Sequence, residues 1–412
     1  MRRINASKPK VNTVIALSLI PLSGFAMDVF IPSLPNMASL LHCTPGAVQL
    51  ILSIFLISYG FSQFIVGGLV DSFGRYRPAL ASMLVFSIAS FVIAFTDSLS
   101  LIYWMRALQG FTVAVILVSK RAYFVDVYKG DSLKKYTSLF SVIWAIAPIV
   151  APFLGGLFQS KWGWNSNFIF LGLFGLVFFM IEIFVGGESI EERQPFRLRP
   201  IISSYRDMLK TKDFSLGIII LGLAYAMILL YGMASPFLIE NRLHFSPTMT
   251  GYCALISGVA VLTGGTISRI LIQKPFFTKL VIASATQITA VVVITLLTSF
   301  HQNLFTLLLY VFTLHSLSGF MFNSILSYCL TRFPHYAGKA SGLVGGGFSM
   351  ITSLLSSFLV NSIKITNQVA LGVGYGILAV LILVLLFNTG WGRKKEGKRS
   401  FNFQRRFVTE AV

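Results

Sequence analysis

Residues 67–78 read GGLVDSFGRYRP, a polar break between two long apolar runs at 46–68 and 79–96. Each run approaches the roughly 20 apolar residues that cross a bilayer core. Within the break Gly74 admits a tight turn. Asp71 offers a carboxylate, and Arg75 and Arg77 hold positive charge. Asp71 is expected to pair with a basic residue across a gate. Part of this frame recurs: Gly67 and Pro78 stand 11 residues apart, as do Gly264 and Pro275, and each proline follows a basic residue, Arg77 or Lys274. The offset of 197 residues predicts two similar halves, a layout found in transporters. The paired glycines are expected to let helices pack closely.

Working outward, apolar runs fall at 12–35, 46–68, 79–96, 100–124, 136–158, 165–186, 214–237, 248–271, 278–299, 303–328, 338–361 and 368–390. The expected fold is therefore an all-α membrane protein. Twelve transmembrane helices form two six-helix pseudo-repeat bundles around a central cavity. The division is an N-terminal bundle at 1–186, a linker at 187–213, a C-terminal bundle at 214–390 and a basic tail at 391–412. With the N-terminus cytoplasmic, 29 of the 33 Lys and Arg residues fall in inside segments, and only Lys161, Arg242 and Lys364 fall outside. That asymmetry predicts both termini in the cytoplasm.

Composition agrees. Of 412 residues 55% are hydrophobic and 11% charged, against about 25% charged in soluble domains. A soluble enzyme or a disordered chain is excluded. The net charge of +19 belongs to cytoplasmic loops and is not a nucleic-acid footprint. The start, MRRINASKPK, invites a signal-peptide reading, but Asp28 and IPSLP interrupt any small-residue cleavage site. The first helix is expected to be retained. The tail RKKEGKRSFNFQRR is expected to meet anionic headgroups. Cys43, Cys253 and Cys329 form no CxxC, so no disulfide framework, metal site or cofactor is expected.

In GGLVDSFGRYRP, Gly67, Asp71, Gly74 and Arg75 resemble the 2–3 loop signature of the major facilitator superfamily, with Ser72 and Tyr76 where basic residues are usual. GFAMDVFIPSLP (24–35), MRALQG (105–110), KRAYFVD (120–126), MASPFLIENRLHFSPTMTGY (233–252) and AGKASGLVGG (337–346) resemble segments of the Bcr/CflA-type drug-resistance transporters. APIVAPFLGG (147–156) resembles the fifth-helix signature of drug/proton antiporters, with Ala151 where Gly is usual. The resemblance implies a secondary active transporter in a bacterial inner membrane, exchanging protons for small amphipathic cargo, and no enzyme. It implies Gly67, Asp71, Gly74 and Arg75 at the cytoplasmic gate. A monomer is expected. The alternative is a proton-coupled importer or exporter of one metabolite, siderophore-like or amino-acid-like, on the same scaffold.

Ionisable residues at membrane depth usually mark ion or proton paths. Asp28 and Arg106 are expected at a common depth as a proton-coupling pair, the alternative being a structural ion pair. Pro21, Gly24, Asp28, Ile31 and Pro35 make one stripe, and Arg106, Gln109, Gly110 and Val113 another. Gly24, Gln109 and His315 are candidates for the cargo cavity, with helix glue the bland reading of Gln109 and a neighbour-bonded side chain that of His315. Glu182 is a candidate second proton site, or a snorkelling acid near a helix end. Arg121 and Asp126 are expected as gate partners. Pro148, Pro152, Gly155 and Gly156 are expected to bend the fifth helix and seal the outer side, or to form only a packing seam.

Overall fold

The computed structural model describes residues 9–193 and 195–391. The basic N-terminal stretch and the tail after 391 lie outside the described residues. The described chain is helical, with no β-strand among its elements. The first apolar run is broken into α1 (Pro9–Leu19), α2 (Leu22–Asp28), a 3₁₀ turn (Ile31–Ser33) and α3 (Leu34–Leu40). Then follow α4 (Pro45–Phe73), α5 (Tyr76–Ala94), α6 (Leu99–Val127), α7 (Gly130–Trp162) and α8 (Asn165–Val185). The linker carries α9 (Leu198–Leu209). The second half holds α10 (Lys212–Pro236), α11 (Pro247–Ile270), α12 (Phe276–Phe300), α13 (Leu304–Thr331), α14 (Ala337–Ile363) and α15 (Gln368–Asn388). Among the described residues, 11 spans are long and apolar enough to cross a membrane, the first being Val11–Leu40 taken whole.

The helices have unlike ends. At one end, hereafter the far end, side chains cap the helix starts. Thr44, Ser98, Ser246, Asn303 and Asn367 accept from the amides of Ala47, Leu101, Met249, Thr306 and Ala370. Such caps satisfy amides that the first helical turn leaves without partners. The opposite, basic end carries Arg75, Lys120, Arg332, Lys339 and α9. There α5, α7, α10, α12 and α14 start without a cap from their own N-cap side chain.

The two halves meet along a seam of small residues. A Cβ on Gly60 would sit 2.9 Å from the Gly346 carbonyl oxygen, and one on Gly342 2.9 Å from that of Gln63. Ser353 Oγ donates to the Ser53 carbonyl at 2.9 Å, and Ser53 also bonds Ser357. Thus α4 and α14 touch along their length, as helices do where small residues bring backbones together. Gln49 of α4 adds a donor to the Met233 carbonyl of α10 at 2.7 Å. At the far end α7 closes on α11. A Cβ on Gly156 would lie 2.6 Å from the Pro247 carbonyl, and Ser160 bonds Thr248 at 2.7 Å.

The equal frames at 67 and 264 have unequal neighbours. A Cβ on Gly264 would overlap the Ser316 carbonyl of α13, so this glycine does bring two helices together. One on Gly67 would meet nothing within 4 Å, and one on Gly68 meets Phe196 and Ile201 of the linker. The expectation of close helix packing therefore holds for Gly264 and fails for Gly67. Spacing fixes which residues are glycine, but not what lies opposite them.

Candidate functional site

The first apolar run supplies the acid. Pro21 stands between α1 and α2, and α2 stops at Asp28 before the 3₁₀ turn. The helix is thus interrupted beside the carboxyl, as the Pro and Gly stripe predicts. Asp28 is only 7% exposed, and its Oδ2 has no hydrogen-bond partner among the described residues. It lines a cavity of ≈ 40 Å³ together with Gly24 and Tyr59 of the first half and Tyr225, Phe348 and Ser349 of the second. That space admits a few waters. Its lining comes from both sides of the 187–213 linker. Tyr225, Phe322 and Phe348 form an aromatic cluster with ring centroids 5.3–5.8 Å apart. Tyr59, Tyr225 and Ser349 have no charge or motif to single them out in the sequence; only the packing of separate helices brings them to Asp28.

Arg106 of α6 is fully buried but does not bond Asp28. Its Nη1 donates to the Ala26 carbonyl at 2.8 Å and to Gln109 Oε1 at 2.9 Å, and its Nε donates to the Ile51 carbonyl at 3.2 Å. The rings of Phe30 and Phe55 flank it, with centroids 4.7 and 4.3 Å from its Cζ. Ala26 lies in the last turn of α2, where carbonyls lack helical partners. The broken helix therefore draws the guanidinium to its backbone. No hydrogen bond or ion pair joins the expected coupling pair directly: Arg106 fastens the first span to α4 and α6, and Asp28 faces the cavity.

Gln109 is likewise turned away from the cavity. It is fully buried, accepts from Arg106 and donates to Ser90 Oγ of α5 at 2.7 Å. It joins helices, the bland reading. His315 is also fully buried. Its Nδ1 bonds Ser257 Oγ at 2.7 Å and its Nε2 bonds the Tyr375 hydroxyl at 3.2 Å, tying α13 to α11 and α15. Both ring nitrogens are occupied and the side chain is not among those lining the cavity, so its proposed place there is corrected. Of the three cavity candidates Gly24 alone lines the cavity; a Cβ on it would come 2.7 Å from Ala147 Cβ of α7.

At the basic end Gly74 has φ +98°, a conformation glycine tolerates. A side chain there would collide with Glu188. This acid, which the sequence reading passed over, accepts from the Arg75 amide at 2.8 Å and the Tyr76 amide at 3.4 Å. A carboxylate thus caps α5 from the linker, where the helix dipole favours negative charge. Asp71 pairs with Arg75 at 2.6 Å, and Arg75 with Asp126 at 3.3 Å. Ser189 donates to the same Asp126 carboxylate at 2.7 Å. The gate charges are bonded to one another within the first half and the linker. Arg121 stands apart, with its guanidinium 5.0 Å from the Phe140 ring centroid.

Glu182 is 5% exposed and forms an ion pair with Lys120. Its carbonyl also accepts from Tyr76 at 3.0 Å. Lys120 sits in α6 and Glu182 in α8, 62 residues apart, so the partner is invisible to local pattern. The geometry favours a structural pair. Removing one partner of a buried pair costs about 3–5 kcal/mol, whereas replacing both with apolar groups is often neutral. Glu182→Gln is thus expected to lower the melting temperature by several degrees, and Lys120→Met/Glu182→Leu to restore it. A Glu182→Gln protein as stable as the parent would rule out a structural role.

Pro148 and Pro152 lie inside α7. A Cβ on Gly155 would overlap the Val29 carbonyl, and Gly156 lies against α11. The fifth-helix segment therefore packs on the first span beside Asp28 and on the opposite half at once. Pro148 also lines the cavity.

A buried acid at a helix break, facing a cavity lined from both sides of the linker in a chain with many apolar helices, fits a multi-pass membrane transporter. The protein-family model described as Major Facilitator Superfamily matches residues 17–354, and the chain belongs to that family. It is a transporter and not an enzyme. The chain is 27% identical to "Uncharacterized MFS-type transporter YdgK" of Bacillus subtilis (strain 168), covering 95% of this chain and 98% of that one. It is 27% identical to "Multidrug resistance protein D" of Escherichia coli (strain K12), covering 91% and 94%. It is 25% identical to "Bicyclomycin resistance protein homolog" of Haemophilus influenzae, covering 93% and 97%. These relatives agree with the resemblance to the Bcr/CflA type. Among solved structures, a D-xylose-proton symporter superposes with a TM-score of 0.68 at 14% identity, over 92% of this chain and 97% of that one. At that identity the likeness speaks for the fold alone.

Proposed function

We propose that the protein is a proton-coupled exporter of small amphipathic, drug-like compounds that works by alternating access. The observation that carries this reading is Asp28, a carboxyl group with an unpartnered oxygen in a cavity lined by both halves. An acid so placed can exchange a proton when the cavity opens to water on one side or the other. The aromatic faces of Tyr225 and Phe348 suit cargo of varied shape. The names of relatives, among them multidrug and bicyclomycin resistance proteins, support drug efflux.

In this reading α7 also crosses the membrane, which brings the 11 candidate spans to twelve, and six spans on each side of 187–213 form the two repeats. The basic end faces the cytoplasm of a bacterial cell and the far end faces outward. Opposed charges at the basic end bind α4, α5, α6 and the linker into a gate whose far-end counterpart is the α7–α11 contact. A monomer suffices, because the cavity is complete within one chain.

The test is a panel of lipophilic compounds given to cells that express the protein, with and without a proton uncoupler. Raised tolerance that the uncoupler removes supports the reading; solute-dependent accumulation in the cells instead points to an importer of one metabolite. Orientation has its own test. Cys43 lies at the far end, whereas Cys253 and Cys329 are buried. Partial burial pushes the Cys43 thiol up from its ordinary value, so less thiolate is present at neutral pH. An impermeant maleimide is expected to label Cys43 in intact cells, faster as pH rises. No labelling in intact cells, with labelling after lysis, would invert the orientation.

A further inference from the structure

The linker helix α9 has two faces with different partners. Ile201, Ser204, Tyr205 and Met208 repeat at helical spacing and turn toward the bundle. The Tyr205 hydroxyl donates to the Phe64 carbonyl of α4 at 3.0 Å. Lys339 of α14 donates to Ser204 Oγ at 2.9 Å. The helix therefore lies across the seam at the basic end and touches both halves.

The other face is open. Ile202 and Leu209 are 61% and 47% exposed, large apolar side chains that a purely aqueous surface does not favour. Beside them stand Arg206 and Lys210. Together with Tyr205 these four line a shallow groove of ≈ 470 Å³. From 197 to 212 the chain carries Arg197, Arg199, Arg206, Lys210 and Lys212 against one acid, Asp207, which pairs with Lys210 at 3.4 Å. Exposed apolar side chains interleaved with cations on one helix face match a membrane surface, where methylenes and phosphates lie at adjoining depths. The helix sits at the end of the membrane spans, where that surface is.

We infer that this groove binds an anionic phospholipid of the surrounding bilayer, its phosphate between Arg206 and Lys210 and its upper methylenes on Ile202 and Leu209. Arg206 supplies the planar fork that suits a phosphate. Lys210 contributes less, because Asp207 shares it. A lipid held there keeps α9 flat against the surface, and so keeps Tyr205 and Ser204 on the two halves they join.

The experiment reads lipid contact directly. Ile202→Trp places an indole in the groove. The protein is reconstituted in phosphatidylcholine containing a minor fraction of phosphatidylglycerol, with one lipid or the other brominated. The fluorescence of the five native Trp residues is removed by subtracting the parent protein. Brominated phosphatidylglycerol is expected to quench the added indole as though enriched roughly tenfold, since each surface cation contributes about 1 kcal/mol toward anionic lipid and one of the two is shared. Ile202→Trp/Arg206→Gln/Lys210→Gln is expected to lose that enrichment. Three results would each overturn the inference: equal quenching by the two lipids, enrichment that survives the double charge removal, or displacement of the lipid by millimolar inorganic phosphate, which would mark a site for free phosphate. The readout needs no transport, so its failure is separate from failure of the proposed function.

Discussion

Asp28→Asn is expected to fold and insert normally and yet lose proton-driven efflux by roughly tenfold or more, because the resetting step then has no proton to release. Asn is neutral and nearly the same shape. It removes none of the hydrogen bonds of Arg106, which go to the carbonyls of Ala26 and Ile51 and to Gln109 and not to Asp28. Had the two formed a structural pair, the single change would destabilise and the double change Asp28→Asn/Arg106→Gln would rescue. The geometry predicts the reverse. Arg106→Gln is destabilising by itself and gains nothing from Asp28→Asn, because three hydrogen bonds and two aromatic faces are lost whatever stands at 28. The measurement is cargo-induced proton release from purified protein, with melting curves alongside. If Asp28→Asn releases as many protons as the parent, another group carries the proton.

Gly155→Ala is expected to be among the most damaging single methyl additions in the chain. The added Cβ would overlap the Val29 carbonyl, and a backbone oxygen has no rotamer by which to retreat. Overpacking of this kind costs about 1–3 kcal/mol and sometimes more. The first span must move off α7, carrying Asp28 with it, so transport is expected to fall with stability. Gly67→Ala is the control. It lies within α4 with nothing in reach of the new methyl, and alanine is the better helix former by about 1 kcal/mol. It is expected to be neutral or stabilising. Equal melting temperatures for the two variants would show that α7 does not approach the first span this closely.

Much of this was legible in the chain. Apolar runs locate the spans because bilayer thickness sets their length, and Pro21, Gly24 and Asp28 announce a broken helix because their effects are local. The partners were not legible. Lys120 finds Glu182, Gln109 finds Ser90 and His315 finds Tyr375 through the packing of distant helices. Asp28 and Arg106 occupy suitable stripes, yet the hydrogen bonds of the guanidinium go to the carbonyls of Ala26 and Ile51 and to Gln109. Gly67 and Gly264 show the same limit, with one local frame and two unlike surroundings.

The Glu188 cap carries a consequence for the order in which the chain is made. The Arg75 amide emerges 113 residues before the carboxylate that accepts it. Throughout synthesis of α5 to α8 the first turn of α5 must rely on water or headgroups. A fragment that stops at 186 would hold every helix of the first half and still lack its clasp. A break in the chain between 190 and 198 would keep the clasp on the N-terminal fragment, making that interval the natural place to express the two halves as separate polypeptides.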